Sequence, residues 1–534
     1  MVSPRADHAE GEPGAGAVGR DGCGGPGTHR HGRPSPLPSP FPSPLSVDRA
    51  FAGMLDSEEH YAQQVLHISQ SLFRGPPRSP EFTVADEHAE QPEHPERLRH
   101  TGGPGSADPV ARLAGEIVDH RFKGLPPNAA GLTVGALAAQ RRSLFTGGFT
   151  TPVLTLAAGA LEHNLRQLGA FAARHGLAFA PHGKTSMSPR LFRRQLDHGA
   201  WGITVAVPSQ VRVCRAFGVR RVFVANEVVD AAALRWISAE LVADPEAAVV
   251  CYADSVRGVE LMDAALAPAT GASPSPRPLD VVVELGVTGG RTGVRTAGEA
   301  VRVARAVAEA ASLRLVGVAG YEGEVPDADA GRVRAWLEEL VALAAGLDAA
   351  GLFAALGPGE EIVVSAGGSA WFDVVAEVFG RVPELSRPVL KLLRSGAYIS
   401  HDDGHYRRAT PFNRVPGQGS LLPAFRLWAQ VVSRPEPHLA FLNAGKRDTS
   451  YDLGLPQPVT VRTAGGAERA AEGMEVVKLA DQHAFVRLAP GTELEVGDWV
   501  ALGLSHPCTV FDRWQLIPVA EADGTVTDFV RTFF

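Results

Sequence analysis

The chain has 534 residues, 45% hydrophobic and 21% charged, with a formal net charge of -8. This is the composition of a globular protein of more than one domain, with no electrostatic reason to bind nucleic acid or an acidic membrane. Charges interrupt every apolar run before transmembrane length and no apolar h-region follows Met1. The four scattered cysteines (Cys23, Cys214, Cys251, Cys508) suit a reducing cytoplasm, so a cytoplasmic protein is expected.

Residues 1–106 read as a disordered extension. They hold Gly-rich runs, the repeat "PSPLPSPFPSPLS" and polar text such as "DEHAEQPEHPERLRH", too poor in apolar surface to offset chain entropy. One transient helix is expected at "HYAQQVLHISQSLF" (60–73). From Val110 the text changes, and "VARLAGEIVDHRFKGLPP" reads as a helix stopped by prolines. A βα rhythm then begins, with strands expected at 153–157, 177–180, 201–206, 221–226, 248–253, 280–285, 315–321 and 361–367. Eight strands alternating with amphipathic helices predict a (β/α)8 barrel over 107–390. A doubly wound open sheet is the alternative, disfavoured because no G-x-G-x-x-G opens the first unit. Beyond it, 391–534 carries short alternating strands between Gly, Pro and Asp turns, the pattern of an antiparallel β domain.

The chemistry-bearing residues gather at the expected strand ends. "AFAPHGKTSMSP" (178–189) puts Lys184 in a tight turn after the second strand, at the mouth where barrels carry their chemistry. "ELGVTGGRTGVR" brings Arg291 after the sixth strand, and "SAGGSAWFD" brings Gly367, Gly368 and Ser369 into a helix start, a candidate phosphate nest. "LLRSGAYISHDDGHY" adds Arg394, Gly396, Ala397 and Tyr398. A lysine for an aldehyde, a phosphate cradle and arginines for ring heteroatoms are what pyridoxal phosphate needs. Near the C-terminus, "LGLSHPCTVFDRW" spaces His506 and Cys508 so that both can reach one ion. Two ligands leave an open site; the bland reading is coincidence and an inert cysteine.

"PHGKT" with "GITVAVPSQ", "VFVANEVVD", "GGRTGV", "GYEGE" and "SAGGS" resembles the fold-type III pyridoxal phosphate enzymes, within them the D-serine dehydratase and D-threonine aldolase group, over about 110–534. The resemblance implies an alanine racemase-like barrel, a C-terminal β domain and a homodimer. It implies Lys184 as the Schiff-base lysine and Arg291 near the phenolic oxygen. The 367–369 and 396–397 segments fall around the phosphate, with Arg394 toward the pyridine nitrogen. It also implies zinc, or another divalent metal, on His506 and Cys508. Where many dehydratases have His-Lys after the Lys-Thr, this chain has Ser186 and Met187, and Gln210 stands where an acidic residue is common.

The expected activity is a lyase acting on a small D-3-hydroxy amino acid, D-serine to pyruvate and ammonia first. D-threonine aldolase, racemase and non-catalytic cofactor-binding protein are the alternatives. "NAGKRDTSYDLG" (443–454) offers Lys446, Arg447, Asp448 and Asp452 either to a substrate carboxylate or as a solvated turn. His182, His401, His405 and His483 are candidate tuning, acid/base or metal-proximal groups, or structural ones.

Overall fold

The computed structural model describes residues 108–267 and 277–534. The expected 1–106 extension, its helix at 60–73 and Cys23 lie outside the described residues. Among the described residues no helix is long and apolar enough to cross a membrane.

β1 (Val153–Ala157) precedes eight strands that form one parallel sheet: β2 (Ala178–Phe179), β3 (Ile203–Val205), β4 (Arg221–Glu227), β5 (Ala248–Ala253), β6 (Leu279–Leu285), β7 (Leu313–Gly320), β8 (Ile362–Ala366) and β9 (Val389–Leu393). The order is β2-β9-β8-β7-β6-β5-β4-β3. The two end strands close on each other through Trp201 N–H to Phe179 O (2.7 Å), Thr204 N–H to Pro181 O (2.9 Å) and the Thr204 hydroxyl to Ala180 O (2.7 Å). The sheet is therefore a (β/α)8 barrel, and its strands are apolar almost throughout because helices cover their outer faces.

The helices follow their local chemistry. Residues 158–174 bury Leu161, Leu165, Leu168 and Phe171, a stripe at helical spacing. Asp230, Ser255 and Asp329 accept amide hydrogen bonds at helix starts, and Thr296 with Glu299 forms a reciprocal capping box.

The remaining strands are β10 (Phe425–Glu436), β11 (Leu439–Leu442), β12 (Gln457–Arg462), β13 (Glu468–Ala470), β14 (Met474–Leu479), β15 (Ala484–Leu488), β16 (Trp499–Gly503), β17 (Leu516–Ala520) and β18 (Val526–Arg531). They form a mostly antiparallel sheet with the path β13-β12-β16-β10-β1-β17-β18, β11, β14 and β15 joining through β10.

Three sequence expectations are corrected. β1 is not the first barrel strand: Val153 pairs with Trp428 of β10, and Leu156 pairs with Val519 of β17. A fully buried apolar strand reads the same in either sheet, so periodicity could not assign it. β9 supplies the eighth barrel strand instead, so the expected 390/391 boundary cuts through it. The expected helix at 110–127 is only a 3-10 turn, Ala111–Gly115. Val118 N–H bonds Leu132 O at 2.8 Å and Gly131 N–H bonds Val118 O at 2.9 Å, holding the segment extended. Val118 and Phe122 then enter a second apolar cluster with Phe149, Val153, Trp428 and Phe529, and that burial outweighs helix propensity.

Candidate functional site

Lys184 lies in the 3-10 turn Gly183–Thr185, directly after β2, at the C-terminal mouth of the barrel. A Cβ on Gly183 would sit 2.5 Å from Ile203 Cγ2 and 2.7 Å from Phe192 Cε1, so only glycine lets the turn lie this close to the barrel wall. Ser186 and Met187, the departures from the family pattern, serve the same turn. Met187 is buried with a φ of 40°, and its carbonyl accepts the Phe533 amide at 2.9 Å. Gln210 closes a local turn by accepting the Ala206 amide at 2.8 Å.

The lysine is half-buried. Burial first, then the charges of Arg291 and Arg394, lower its pKa, while the Cys508 sulfur opposes them. Lys184, Arg291, Arg394 and Cys508 thus lie within electrostatic reach of one another. Arg394 is 1% exposed: its Nε donates to Ser365 Oγ at 2.8 Å, Nη2 donates to the Gly320 carbonyl, and the guanidinium lies 5.3 Å from the Phe223 ring and 5.8 Å from that of Tyr252. Arg291 is more open, its side chain 57% exposed, 3.5 Å from Glu324 and 5.0 Å over the Tyr321 ring.

The two glycine loops meet. Ala397 N–H donates to Ser369 Oγ at 3.2 Å, and Ser395 Oγ donates to Gly368 O at 2.7 Å. A Cβ on Gly396 would lie 2.5 Å from His182 Cβ, which fixes this loop against the lysine turn. His182 is partly buried, its Nδ1 shut off from solvent and unpartnered, and burial drives its pKa well down. Lys184, the Ser369 hydroxyl and the 396–397 loop therefore fit an aldehyde-bearing phosphate ester.

Two expected contacts are different. The amides of Gly367 and Gly368 are already filled by the Glu322 carboxylate, at 2.9 and 2.6 Å. Their nest holds the Glu322 carboxyl group, which leaves the Ser369 hydroxyl and the 396–397 loop as the polar groups facing the lysine turn. Tyr398 is buried below the mouth, its ring 5.3 Å from Phe179 and its hydroxyl accepting from Gln195 Nε2 at 3.2 Å; it braces β2. Tyr406, not Tyr398, brings a phenol beside the Ser369 side chain and near Cys508 and Tyr321.

On the β-sheet side, His506 and Cys508 sit on the turn after β16. His506 Nδ1 is 2.6 Å from Asp452 Oδ2, and Thr509 Oγ1 donates to Asp452 Oδ1 at 2.9 Å. A carboxylate on Nδ1 fixes the ring and leaves Nε2 as the nitrogen that could ligate an ion. Burial lowers the His506 pKa, but the Cys508 sulfur and Asp452 outweigh it and raise it to about 9. Cys508 Sγ lies 3.4 Å from Thr185 Oγ1, which docks this turn on the lysine turn. An imidazole and a sulfur facing one point, with an oriented carboxylate behind, fit a divalent ion at an open site. Among the described residues no cage of three or more His, Cys, Asp or Glu side chains forms.

The 443–454 loop divides. Asp452 orients His506, whereas Asp448 is buried against Lys123 Nζ (2.8 Å) and Gln482 Nε2 (2.9 Å) and is structural. Lys446 and Arg447 are exposed. His401 is buried at φ 47°, with burial and Arg407 lowering its pKa to about 4. His405 lies near His506 and Asp452. His483 is exposed in the β14–β15 turn, 6.5 Å from the Phe441 ring.

The sequence reading did not single out Glu227, Asp254 and Glu284. Burial, then Glu284 and Asp254, raise the Glu227 pKa to about 8. Glu284 bonds the Thr292 side chain, and Asp254 Oδ2 accepts the Gly293 amide at 3.1 Å, so these acids anchor the Arg291 loop. Glu322 was visible only as part of "GYEGE", a turn motif whose partners lie 45 residues away.

The chain matches the alanine racemase N-terminal domain over residues 156–370 and the putative serine dehydratase domain over 424–520. It is 28% identical over 368 residues to the 3-hydroxy-D-aspartate aldolase of Paracoccus denitrificans (strain Pd 1222), covering 68% of this chain and 87% of that one. It is 28% identical over 382 residues to the D-threonine aldolase of Arthrobacter sp, covering 71% and 90%. The D-threo-3-hydroxyaspartate dehydratase from Delftia sp. HT23 shares the fold, with a TM-score of 0.55 at 20% identity over 73% of this chain and 99% of that one. The chain belongs to the fold-type III pyridoxal phosphate enzymes, in the group that joins an alanine racemase-like barrel to a serine dehydratase-type β domain.

Proposed function

We propose that this protein is a pyridoxal phosphate-dependent, divalent metal-assisted lyase of D-3-hydroxy amino acids. The observation that carries the reading is the contact between Thr185 and Cys508, which sets the candidate cofactor lysine beside the candidate metal pair. Pyridoxal phosphate supplies an electron sink for the pair left when the Cα proton is removed, and a divalent ion supplies a Lewis acid for the β-oxygen.

The residues divide that work. Lys184 would hold the cofactor aldehyde and, as a free amine, would be the base for the Cα proton; its lowered pKa favours the neutral form this requires. Ser369 and the 396–397 loop would bind the phosphate, and Arg394, locked by Ser365 and Gly320, would present a fixed cation to the ring. Nε2 of His506 and the Cys508 sulfur would hold the ion, and Asp452 would keep the imidazole in the ligating tautomer. Tyr406, bonded to the Ser369 side chain and with its ring 6.1 Å from that of His506, would offer a hydroxyl near both groups.

The first reaction assigned is elimination from D-serine. The Cα–H and Cβ–O bonds break, hydroxide leaves as water after gaining a proton, and hydrolysis of the resulting imine gives pyruvate and ammonia. The second reading, retro-aldol cleavage of a D-3-hydroxy amino acid, is supported by the similarity to two aldolases. It uses the same residues but breaks Cα–Cβ after loss of the hydroxyl proton. A homodimer covering the barrel mouth belongs to the proposal: Val207, Val229 and Val256, after β3, β4 and β5, are 39%, 50% and 39% exposed, and light scattering of the purified chain tests it.

Product analysis separates the readings. The loaded protein receives D-serine, D-threonine or D-3-hydroxyaspartate, with and without chelator followed by zinc. Equal amounts of 2-keto acid and ammonia, lost with chelator and restored by zinc, support elimination. Glycine plus an aldehyde assigns the aldolase. No reaction with any of them overturns the substrate class.

A further inference from the structure

At the end of β7, three consecutive residues each hold a different part of the site. The Gly320 carbonyl accepts from Arg394, the Tyr321 ring lies under Arg291 at 5.0 Å, and the Glu322 carboxylate binds the Gly367 and Gly368 amides. Glu322 is 0% exposed. Two successive amides aimed at one point form a nest that accepts any anion, and here the chain supplies its own. The amide pair is therefore not free for a phosphate; it fixes the backbone that presents Ser369, the next residue. That backbone has little other freedom. Gly367 has a φ of 120°, a Cβ on Gly368 would fall 2.6 Å from Tyr321 Cε2, and Ser395 ties the Gly368 carbonyl from the second loop.

We propose that Glu322 is a positioning residue for cofactor phosphate: by filling the Gly367–Gly368 nest it holds Ser369, whose Oγ accepts from the Ala397 amide, so that its hydroxyl is aimed to donate to the phosphate. It touches neither phosphate nor substrate. Two amide bonds to one buried carboxyl group tie this loop at consecutive positions, and replacing one oxygen by nitrogen leaves one amide facing an NH2 group. The inference rests on the cofactor reading above.

The test compares pyridoxal phosphate with pyridoxal, which lacks the phosphate but keeps the aldehyde. The full-length chain, stripped with hydroxylamine, is titrated with each compound by absorbance, as wild type, Glu322→Gln and Glu322→Asp. Circular dichroism checks that each variant is folded, and the Asp variant carries the test if the Gln variant does not fold. Glu322→Gln is expected to weaken pyridoxal phosphate by about 10-fold or more while pyridoxal stays within about 2-fold. Equal weakening of both compounds would mean a general structural role and overturns the inference, as would tighter pyridoxal phosphate binding, which would mean that Glu322 competes for the nest. A wild-type chain that binds neither compound overturns the cofactor reading and this inference with it. Wild-type binding with an unchanged preference in both variants overturns the inference alone.

Discussion

The two halves of the site are built in opposite ways. The barrel half draws on the ends of β2, β6, β7, β8 and β9, buries Arg394 to 1% exposure and ties its loops to one another through Ser369, Ser395 and Glu322. The β-sheet half is one turn, with the His506 side chain 16% exposed and its orienting Asp452 42% exposed. A barrel mouth gains rigidity because each strand end is held by two neighbours, whereas a turn relies on a few side-chain bonds. The first half therefore suits a group that must be held in one pose. The second suits an ion that keeps open positions.

The largest effect expected is at the centre of the rigid half. Lys184→Ala should lower turnover by at least about 10³-fold. Borohydride reduction followed by mass spectrometry should find no cofactor adduct, and an adduct at wild-type level would break the assignment. Cys508→Ala should separate the halves, losing about 10²-fold or more in turnover and the bound metal while keeping cofactor absorbance. Metal analysis and absorbance on one sample decide this. Asp452→Asn acts at one remove and should weaken metal binding by about 10- to 100-fold, read by chelator competition.

A pH prediction sharpens the contrast from the barrel side. Burial, Glu284 and Asp254 raise Glu227 to about 8 from an ordinary value of 4.5. The native state thus binds a proton that the unfolded chain has released across that window. Its contribution to stability falls as pH rises from about 4.5 to 8 and is constant above. Glu227→Gln should flatten that decline, checked by thermal melts at about pH 5.5 and 8.5; an unchanged difference between the two would remove the carboxyl pair from the account. The smallest effect belongs to His483→Ala, an exposed turn residue outside both halves, expected within about 0.5 kcal/mol of wild-type stability and with unchanged metal content.

Much of the architecture is local information. The seven expected barrel strands from β2 to β8 occur within a few residues of their predicted limits, because short apolar runs between amphipathic helices have few other uses. Lys184, Ser369, Gly396, Ala397, His506 and Cys508 were legible as residue types at strand ends and in one His-x-Cys turn. β1 and β9 were not assignable, since a doubly buried strand carries no mark of its sheet. Nor could sequence foresee that Asp452, alone in a loop of four charges, would meet a histidine 54 residues away.

The sequence by itself thus determined the barrel, the β domain, the lysine turn and the His-x-Cys pair, because spacing and turn chemistry act over a few residues. Only the tertiary structure decided that Glu322 fills the amide nest, that Tyr398 braces β2 while Tyr406 faces the site, and that Cys508 docks on Thr185. Those outcomes depend on which distant side chain reaches a buried group first. Close packing settles that choice across the fold, and no local pattern records it.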